Sequence, residues 1–345
     1  MFDFAGKRWW YLGISLVMFI IAAVALAIPP HLRPGIEFTS GSSFTIQFQA
    51  KAVSQQDLRT AMSELGHSEA RIQGSGSDTY LIHTKELPGA PSVDSTQIVG
   101  PQPLNLGEFD KITTGLCERF RTDSTLDCTD VTQRATVLTV QDFSTVSSTV
   151  STEIARNATY AVLAASVAIL IYISIAFRGL PKSWRYGVAA IIAVLHDAFI
   201  VLGLFSILGK VLGTEVDTAF ITALLTVIGF SVHDTIVVFD RIREKVTHDP
   251  YIPFSEAVNS SLTETLARSL NTSFVVVLTV LSLLLIGGPT IRNFLIVLLV
   301  GIISGTYSSI GIASQLLVAW ENNDIGKFFR RITGRGPEAS EPELA

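Results

Sequence analysis

The chain has 345 residues, of which 48% are hydrophobic and only 16% are charged, and its mean hydropathy is +0.45. Soluble globular chains usually carry about a quarter charged residues, so the composition excludes an ordinary soluble domain and indicates that lipid surrounds much of the chain. The formal net charge of -5 says little by itself, because the placement of charges matters more than their sum in a membrane protein.

Six stretches are long and apolar enough to be transmembrane helices, which need about 20 apolar residues. The first follows a basic start, as a signal peptide does, but it is long for that role and Ile28-Pro29-Pro30-His31 lacks a small-x-small cleavage pattern. We therefore predict a retained anchor. In chain order the six stretches are Trp10 to Ile28, Ala158 to Phe177, Tyr186 to Leu208, Thr218 to Phe239, Ser269 to Ile286 and Phe294 to Trp320.

Basic residues concentrate at the two ends of the chain and in two of the connections between the spans. The other two short connections hold one basic residue each, Lys210 and Arg292. By the positive-inside rule, both termini are predicted to be cytoplasmic. The basic residues on the predicted cytoplasmic side are Lys7, Arg8, Arg178, Lys182, Arg185, Arg241, Arg243, Lys245, Lys327, Arg330, Arg331 and Arg335.

The segment between the first and second spans is long enough for a small extracytoplasmic domain. Its periodicity predicts the order strand, helix, strand, strand, helix, strand, which suggests a ferredoxin-like α+β sandwich. Cys117 and Cys128 fall in this domain, where a disulfide is permitted, but the sequence does not show whether they meet. The predicted elements are Ser43 to Gln49, Ser54 to Leu65, Glu69 to Gln73, Thr79 to Thr84, Phe109 to Phe120 and Ala135 to Phe143, with a turn at Gly74 to Ser77 and a loop at Ala90 to Leu106.

The predicted fold class is a membrane all-α bundle of six transmembrane helices with a small α+β, ferredoxin-like, extracytoplasmic domain between the first and second helices. Ser144 to Thr152 is either a flexible connection or the start of the second membrane helix, and the tail from Gly334 is predicted to be disordered. The predicted boundaries are 1–28 for the N-terminus and first helix, 29–152 for the domain, 153–320 for the remaining helices (156–178, 186–208, 217–239, 268–286 and 294–320), and 321–345 for a cytoplasmic tail.

Two charged residues in the fourth and fifth helices form the main candidate site. A charged side chain at the middle of a spanning helix costs about 2.5 to 3.5 kcal/mol, so each one needs a partner or a task. Asp234 and Arg268 are predicted to lie at a similar shallow depth, because the two helices run antiparallel. An arginine beside a buried aspartate favours its ionised form, so moving the arginine would switch proton affinity. A static ion pair, or an arginine that reaches the headgroups, is the alternative.

Three further residues inside the predicted spans are secondary candidates for an ion path or for helix packing. His196 and Asp197 lie near the centre of the third helix, where both residue types are unexpected, and His233 precedes Asp234. A hydrogen-bonded structural pair between helices is the alternative for His196 and Asp197. Small residues around these sites, such as Gly301 and Gly305, would let helices approach closely.

At the predicted cytoplasmic exit of the fourth helix, Asp240 and Arg241 are candidates for an exit motif, although a solvated charged face explains them as well. The chain has no Gly-rich phosphate loop, no zinc-ligand spacing and no nucleophile elbow, and its two intramembrane aspartates lack the glycine context of aspartyl proteases. We therefore expect neither an enzyme, nor a metal site, nor energy from nucleotide hydrolysis.

The run from Leu225 to Glu244, which reads LTVIGFSVHDTIVVFDRIRE, resembles the fourth-helix pattern of SecF members of the SecD/SecF family, within the resistance-nodulation-division superfamily. Four shorter motifs support the resemblance across nearly all of the membrane part. They are Gly35 to Gly41, His196-Asp197, Ser261 to Ser269, and Gly287-Gly288-Pro289.

The resemblance implies a subunit that pairs with SecD in the bacterial cytoplasmic membrane and works with the SecYEG translocon and YajC. Such a complex uses the proton motive force, or sodium in some members, to promote the export of polypeptides. The family's ion-coupling aspartate and arginine match Asp234 and Arg268, and no cofactor is implied beyond the transported H+ or Na+.

The sequence departs from the family at two places: His233 stands where relatives commonly carry asparagine, and no Val-Gly-Pro motif directly precedes the second helix. Two other functions stay open. One is a half-size exporter of small molecules or lipids, and the other is a structural translocon scaffold in which Asp234 and Arg268 only pack.

Overall fold

The computed structural model describes residues 3–49, 52–76, 78–87, 107–178, 184–288, 291–322 and 324. The chain divides into two compact units. The helical unit comprises Met1–Leu32, Val162–Thr214 and Ala219–Ala345, and the α+β unit comprises Arg33–Ala161 and Glu215–Thr218.

The elements follow one another in the predicted order, with three short helical additions. A π-helical turn, Ser309–Ala313, separates the last two helices. In chain order the elements are α1 (Arg8–Ala27), α2 (Ile36–Thr39), β1 (Gly41–Phe48), α3 (Gln55–Glu64), β2 (Arg71–Gly76), β3 (Thr79–Thr84), α4 (Glu108–Phe120), α5 (Val131–Arg134), β4 (Leu138–Val146), α6 (Ser148–Ala176), α7 (Trp184–Val211), α8 (Thr218–His248), α9 (Phe254–Ile286), α10 (Arg292–Ser308) and α11 (Ser314–Glu321).

Six of the described helices are long and apolar enough to cross a membrane, as the sequence predicts: α1, α6, α7, α8, α9, and α10 continued through the π-helical turn into α11. Their polar ends reach further than predicted. The helix α8 continues to His248, and α9 already begins at Phe254, so Arg268 lies inside α9 and not at its start. An apolar run marks only the part of a helix that lipid surrounds, whereas residues such as Glu, Lys and Arg extend helices well beyond it.

The α+β unit contains one four-stranded antiparallel sheet with the strand order β2-β3-β1-β4. Along the chain α3 connects β1 to β2, and α4 lies between β3 and β4. The predicted N-cap is present, because Ser54 Oγ accepts a hydrogen bond from the Asp57 backbone at 3.1 Å. The turn predicted from Gly74 is wrong, since β2 continues to Gly76. The register shifts between Gly74 and Gly76, and such irregularities are where strands tolerate glycine.

The core of the α+β unit comes from the strands and from the inner faces of α3 and α4. Phe44 and Ile82 of the sheet, Leu58 of α3 and Leu116 of α4 are all buried in it. Cys117 and Cys128 are bonded to each other, which answers the question that the sequence left open. Of the stretch Ser144 to Thr152, the residues to Val146 belong to β4 and those from Ser148 begin α6. The predicted loop at 90–106 and the tail from 334 lie outside the described residues.

Candidate functional site

Asp197 lies at a junction of three helices in the helical unit. Its side chain projects from α7 and is 1% exposed. Oδ1 accepts a hydrogen bond from Ser304 Oγ at 2.7 Å, and Oδ2 accepts bonds from Ser231 Oγ and Ser308 Oγ, both at 2.6 Å. Three hydroxyl donors from α8 and α10 therefore satisfy a fully buried carboxylate, as burial of a polar group requires.

Glycines on α10 let that helix approach α8 closely enough for this arrangement. A Cβ atom at position 301 would lie 2.2 Å from Val227 Cγ2, and one at position 305 would lie 3.1 Å from Ser231 Cβ. Small residues at a spacing of four are typical of tight helix packing in membranes. The π-helical turn begins directly after Ser308, and such turns often accompany functional sites in helices.

Asp234 lies in the middle part of α8 and is 8% exposed. Its Oδ1 accepts a hydrogen bond from the Ser269 hydroxyl of α9. Its Oδ2 is buried and has no hydrogen-bond partner among the described residues, although the Ser309 hydroxyl of the π-helical turn is near enough to act on the carboxylate. Next along α8, Thr235 Oγ1 lies 3.1 Å from Ser309 Oγ in the π-helical turn. A buried carboxylate with an unsatisfied oxygen is costly to keep ionised, so this position suits a group that gains and loses a proton or an ion.

The structure does not bring Arg268 to Asp234. The Arg268 side chain is exposed on α9, and it forms no ion pair within the described part of the chain. Its neighbour Ser269 is buried and supplies the hydrogen bond to Asp234. Consecutive residues of an α-helix differ in direction by about 100°, so Ser269 lies on the buried side of α9 and Arg268 on the exposed side. The predicted cycle between Asp234 and Arg268 stays a prediction.

The two histidines differ in their surroundings. His196 is buried, and its Nδ1 lies 3.3 Å from Asp197 Oδ1, the neighbouring residue on the same helix. Its Nε2 has no hydrogen-bond partner among the described residues. His233 is exposed on α8, facing away from the buried side that carries Asp234. The bonds that join α7 to its neighbours at this level therefore come from serines, and not from the histidine.

The two residues of the predicted exit motif, Asp240 and Arg241, have different partners. Asp240 is exposed and lies 3.6 Å from Arg243 on its own helix. Arg241 donates from Nε to Glu264 Oε2 of α9 at 2.6 Å, and Lys245 Nζ lies 2.5 Å from Glu264 Oε1. Glu264 thus bridges two basic residues and connects α8 to α9. Exposed pairs of this kind contribute little stability, about 0 to 1 kcal/mol each.

Sequence reasoning missed the hydroxyl residues that contact the two aspartates. Serine is common in membrane helices, where it often bonds only to its own backbone, so residue type alone gave no reason to select Ser269, Ser304 or Ser308. A usable signal exists in α10, where Gly301, Ser304, Gly305 and Ser308 fall at spacings of three and four on one helix face.

Two family models match this chain. Residues 128–323 match the model described as protein export membrane protein SecD/SecF, C-terminal, and residues 30–52 match the SecD/SecF GG motif. The first match covers more than half of the chain and contains both aspartates. The chain belongs to the SecD/SecF protein-export family. The resemblance that the sequence motifs carry is therefore confirmed.

Relatives of two lengths match the chain. It is 41% identical to the protein translocase subunit SecF of Thermobaculum terrenum, over 100% of this chain and 99% of the relative. It is 34% identical to the protein translocase subunit SecDF of Bacillus subtilis, over 94% of this chain but 39% of that longer protein. These names support a role in protein translocation for a multi-pass membrane protein.

A solved structure has the same fold. The crystal structure of SecDF from Thermus thermophilus, described as a translocon-associated membrane protein, matches with a TM-score of 0.73 at 33% identity. The match covers 93% of this chain and 39% of that chain. The SecD/SecF fold therefore extends over both the helical and the α+β units.

Proposed function

We propose that this chain is a SecF subunit that uses the proton motive force, or a sodium gradient, to promote the export of polypeptides through the Sec translocon. Asp234 is the residue that binds and releases the coupling ion. The observation that carries the proposal is that Asp234 is buried in the middle of a membrane-spanning helix with one carboxylate oxygen unsatisfied by the described residues. Ion binding there would change the balance between two helix arrangements.

Asp197, the other buried aspartate of the helical unit, is less suitable for binding and releasing an ion. Asp197 accepts bonds from three hydroxyls and is almost completely enclosed, so an ion would have to displace donors that already satisfy the carboxylate. We assign Asp197 to helix packing, with His196 beside it. A transmembrane potential of 100 mV is worth about 2.3 kcal/mol per charge, enough to bias a two-state element that Asp234 controls.

The proposed partners are SecD, the SecYEG translocon, YajC and the exported polypeptide. Two observations support SecD: the longer relatives carry the name SecDF, and the chain matches 39% of each of them. Arg268 supports a helical partner, because a charged side chain exposed next to an apolar stretch needs a polar group that this chain does not supply among its described residues. Within the complex, Arg268 retains its proposed part in ion coupling.

We also propose a ferredoxin-like class for the α+β unit and an orientation for the chain in the membrane. The strand order β2-β3-β1-β4, with α3 between β1 and β2 and α4 between β3 and β4, supports a ferredoxin-like class for the α+β unit. The distribution of basic residues supports cytoplasmic termini and an extracytoplasmic α+β unit in the bacterial inner membrane.

The test measures export with and without an imposed gradient in vesicles that contain the full chain and the proposed partners. Asp234→Asn keeps the size of the side chain but cannot gain or lose a proton, so we expect the gradient-dependent part of export to disappear. Asp249→Asn is the matched control, because Asp249 is exposed between α8 and α9 and its bond to the Tyr251 backbone survives the change.

Undiminished gradient-dependent export by Asp234→Asn would sink the proposal and favour a structural scaffold. Separate proton and sodium gradients in the same vesicles identify the ion. Transport of small molecules or lipids by the purified chain, with no effect on polypeptide export, would instead favour the half-size exporter.

A further inference from the structure

The short segment between α7 and α8, Glu215–Asp217, is bound along its backbone to the first residues of the α+β unit. The Val216 N–H donates to Arg33 O at 2.7 Å, and the Gly35 N–H donates to Val216 O at 2.8 Å. Pro34 and Val216 thereby form a parallel bridge. We call Glu215–Asp217 the strap. Because both segments belong to the α+β unit, the strap is part of that unit although it precedes a membrane helix.

Polar side chains of the sheet lie around Glu215 of the strap. Glu215 Oε2 lies 3.2 Å from His83 Nδ1 on β3, and Glu215 Oε1 lies 3.8 Å from Arg71 Nη1 on β2. The Glu215 side chain is only 12% exposed, so most of it is removed from water when the strap is seated. The other charged groups that act on Glu215 are Glu37, Arg33 and Asp217.

Gly35 provides the space in which the strap sits. A Cβ atom there would lie 3.3 Å from the Val216 carbonyl oxygen and 2.6 Å from Glu37 Oε2. The Glu37 side chain can turn away, but the Val216 oxygen is fixed by the bridge. A larger, β-branched side chain at position 35 would therefore displace the strap and break the bridge between Pro34 and Val216. Gly35 falls within the stretch that matches the SecD/SecF GG motif, and the contact gives a physical reason for a glycine at this position.

The strap leads into the helix that carries Asp234 without an intervening loop. Asp217 ends the strap, and Thr218 is the first residue of α8. A displacement of a helix is passed on by a short, hydrogen-bonded connection and is absorbed by a flexible one.

We propose that the strap is the rigid connection through which movement of α8 is passed to the α+β unit, with Gly35 as its positioning residue. This inference rests on the proposed function, because it takes ion binding at Asp234 as the origin of the movement. The inference adds that Glu215–Asp217 is the place where this movement passes from α8 to the α+β unit. The strap stays seated throughout the cycle and does not act as a latch that opens.

Two variants separate the connection from the ion site. Insertion of two glycines between Asp217 and Thr218 keeps the strap hydrogen-bonded to Arg33 and Gly35 but makes its connection to α8 flexible. Gly35→Val displaces the strap from this position. In vesicles with the proposed partners we expect both variants to lose the gradient-dependent part of export while gradient-driven ion flux persists. The control is the same insertion after Asp249, in the exposed turn between α8 and α9, which should preserve both activities.

A third variant tests whether the strap stays seated. Pro34→Cys combined with Val216→Cys places two cysteines at a bridged pair, within the range that a disulfide spans. Since the native cysteines already pair with each other, the new disulfide forms between the introduced ones. We expect full gradient-dependent export in the oxidised state.

Export that survives the slack insertion, or that the new disulfide abolishes until it is reduced, would overturn the rigid connection. Failure of the proposed function looks different: the unmodified chain would show no gradient-driven flux, or Asp234→Asn would keep it. Should Gly35→Val not accumulate in membranes, the insertion and the disulfide still decide the matter.

Discussion

Asp197 and Asp234 are both buried carboxylates in the same helical unit, but their hydrogen-bond partners differ. Asp197 accepts bonds from three serines on two neighbouring helices, whereas Asp234 accepts one from Ser269 and keeps a second oxygen unsatisfied among the described residues. Burial alone therefore does not distinguish a carboxylate that packs helices from one that binds an ion. The number of donors is the basis on which we assign helix packing to Asp197 and propose ion binding at Asp234.

The largest expected effect on stability comes from removing the better satisfied carboxylate. Hydrogen bonds between membrane helices contribute about 0.6 kcal/mol each on average and at most about 1.7 kcal/mol. Asp197→Ala removes three of them, so we expect the free energy of unfolding of the full chain to fall by about 2 to 5 kcal/mol. Reversible unfolding in detergent measures it. A loss no greater than that of Asp249→Ala would show that the serines do not hold the three helices together.

Glu215 is a buried carboxylate outside the spans, and its ionisation makes the stability of the fold depend on pH. Burial raises the pKa of Glu215 to about 7, although Arg71 opposes the shift. A raised pKa stabilises the fold at pH values below the unfolded pKa, about 4.5, and this stabilisation is lost as the pH rises through 7. Glu215→Gln should therefore match the unmodified chain at pH 4, differ from it by under about 1 kcal/mol at pH 5, and be more stable at pH 8 by at most about 3 kcal/mol.

This difference is measured from the thermal midpoints of Glu215→Gln and of the unmodified chain between pH 4 and pH 8. Burial, followed by the charge of Arg71, lowers the pKa of His83 to about 4, and that residue destabilises the fold as the pH falls below its ordinary value of 6.5. Both proteins contain His83, so its contribution largely cancels in their difference. A difference that shrinks between pH 5 and pH 8 would contradict the environment assigned to Glu215.

The close approach of α10 to α8 makes the serine contacts to Asp197 possible, and two glycines test it. Gly301→Ala would place a Cβ atom 2.2 Å from Val227, and overpacking of this kind costs about 1 to 3 kcal/mol. Gly229 on α8 has no atom of another described element within 4 Å of the corresponding position, so Gly229→Ala is the matched control. Unfolding of both variants is compared with that of the unmodified chain. Equal stability of the two variants would indicate that the approach is looser than described.

The two variants with the smallest expected effect on stability should differ clearly in function. Ser269→Ala and Ser304→Ala each remove one hydroxyl, at a cost of about 0.6 kcal/mol and at most about 1.7 kcal/mol. Ser269 is the described donor to Asp234, whereas Asp197 keeps two donors without Ser304. We expect gradient-dependent export to change its pH profile in Ser269→Ala and to keep it in Ser304→Ala. Identical profiles would remove Ser269 from the account.

The sequence predicted the six spans, the order of strands and helices, and the burial of Asp234 and Asp197, because hydrophobic runs and charged exceptions within them are local properties. It did not predict where α8 ends and α9 begins, since polar residues continue helices beyond the lipid. The orientation of Arg268 was missed because the side of α9 that is buried depends on its packing against other helices, which no local pattern specifies. The serine contacts and the seat of the strap depend on residues far apart in the chain, such as Ser308 with Asp197 and Gly35 with Val216, and no local pattern specifies them.

The most direct test of the account compares two conservative variants at equal levels in the same membranes. Asp234→Asn and Asp197→Asn each replace a buried carboxylate with an amide of the same size, and gradient-dependent polypeptide export is measured for both. The account predicts that export is lost in Asp234→Asn and retained in Asp197→Asn, because the serine hydroxyls around position 197 can rotate to accept bonds from the amide. Retained export in Asp234→Asn, or its loss in Asp197→Asn alone, would contradict it.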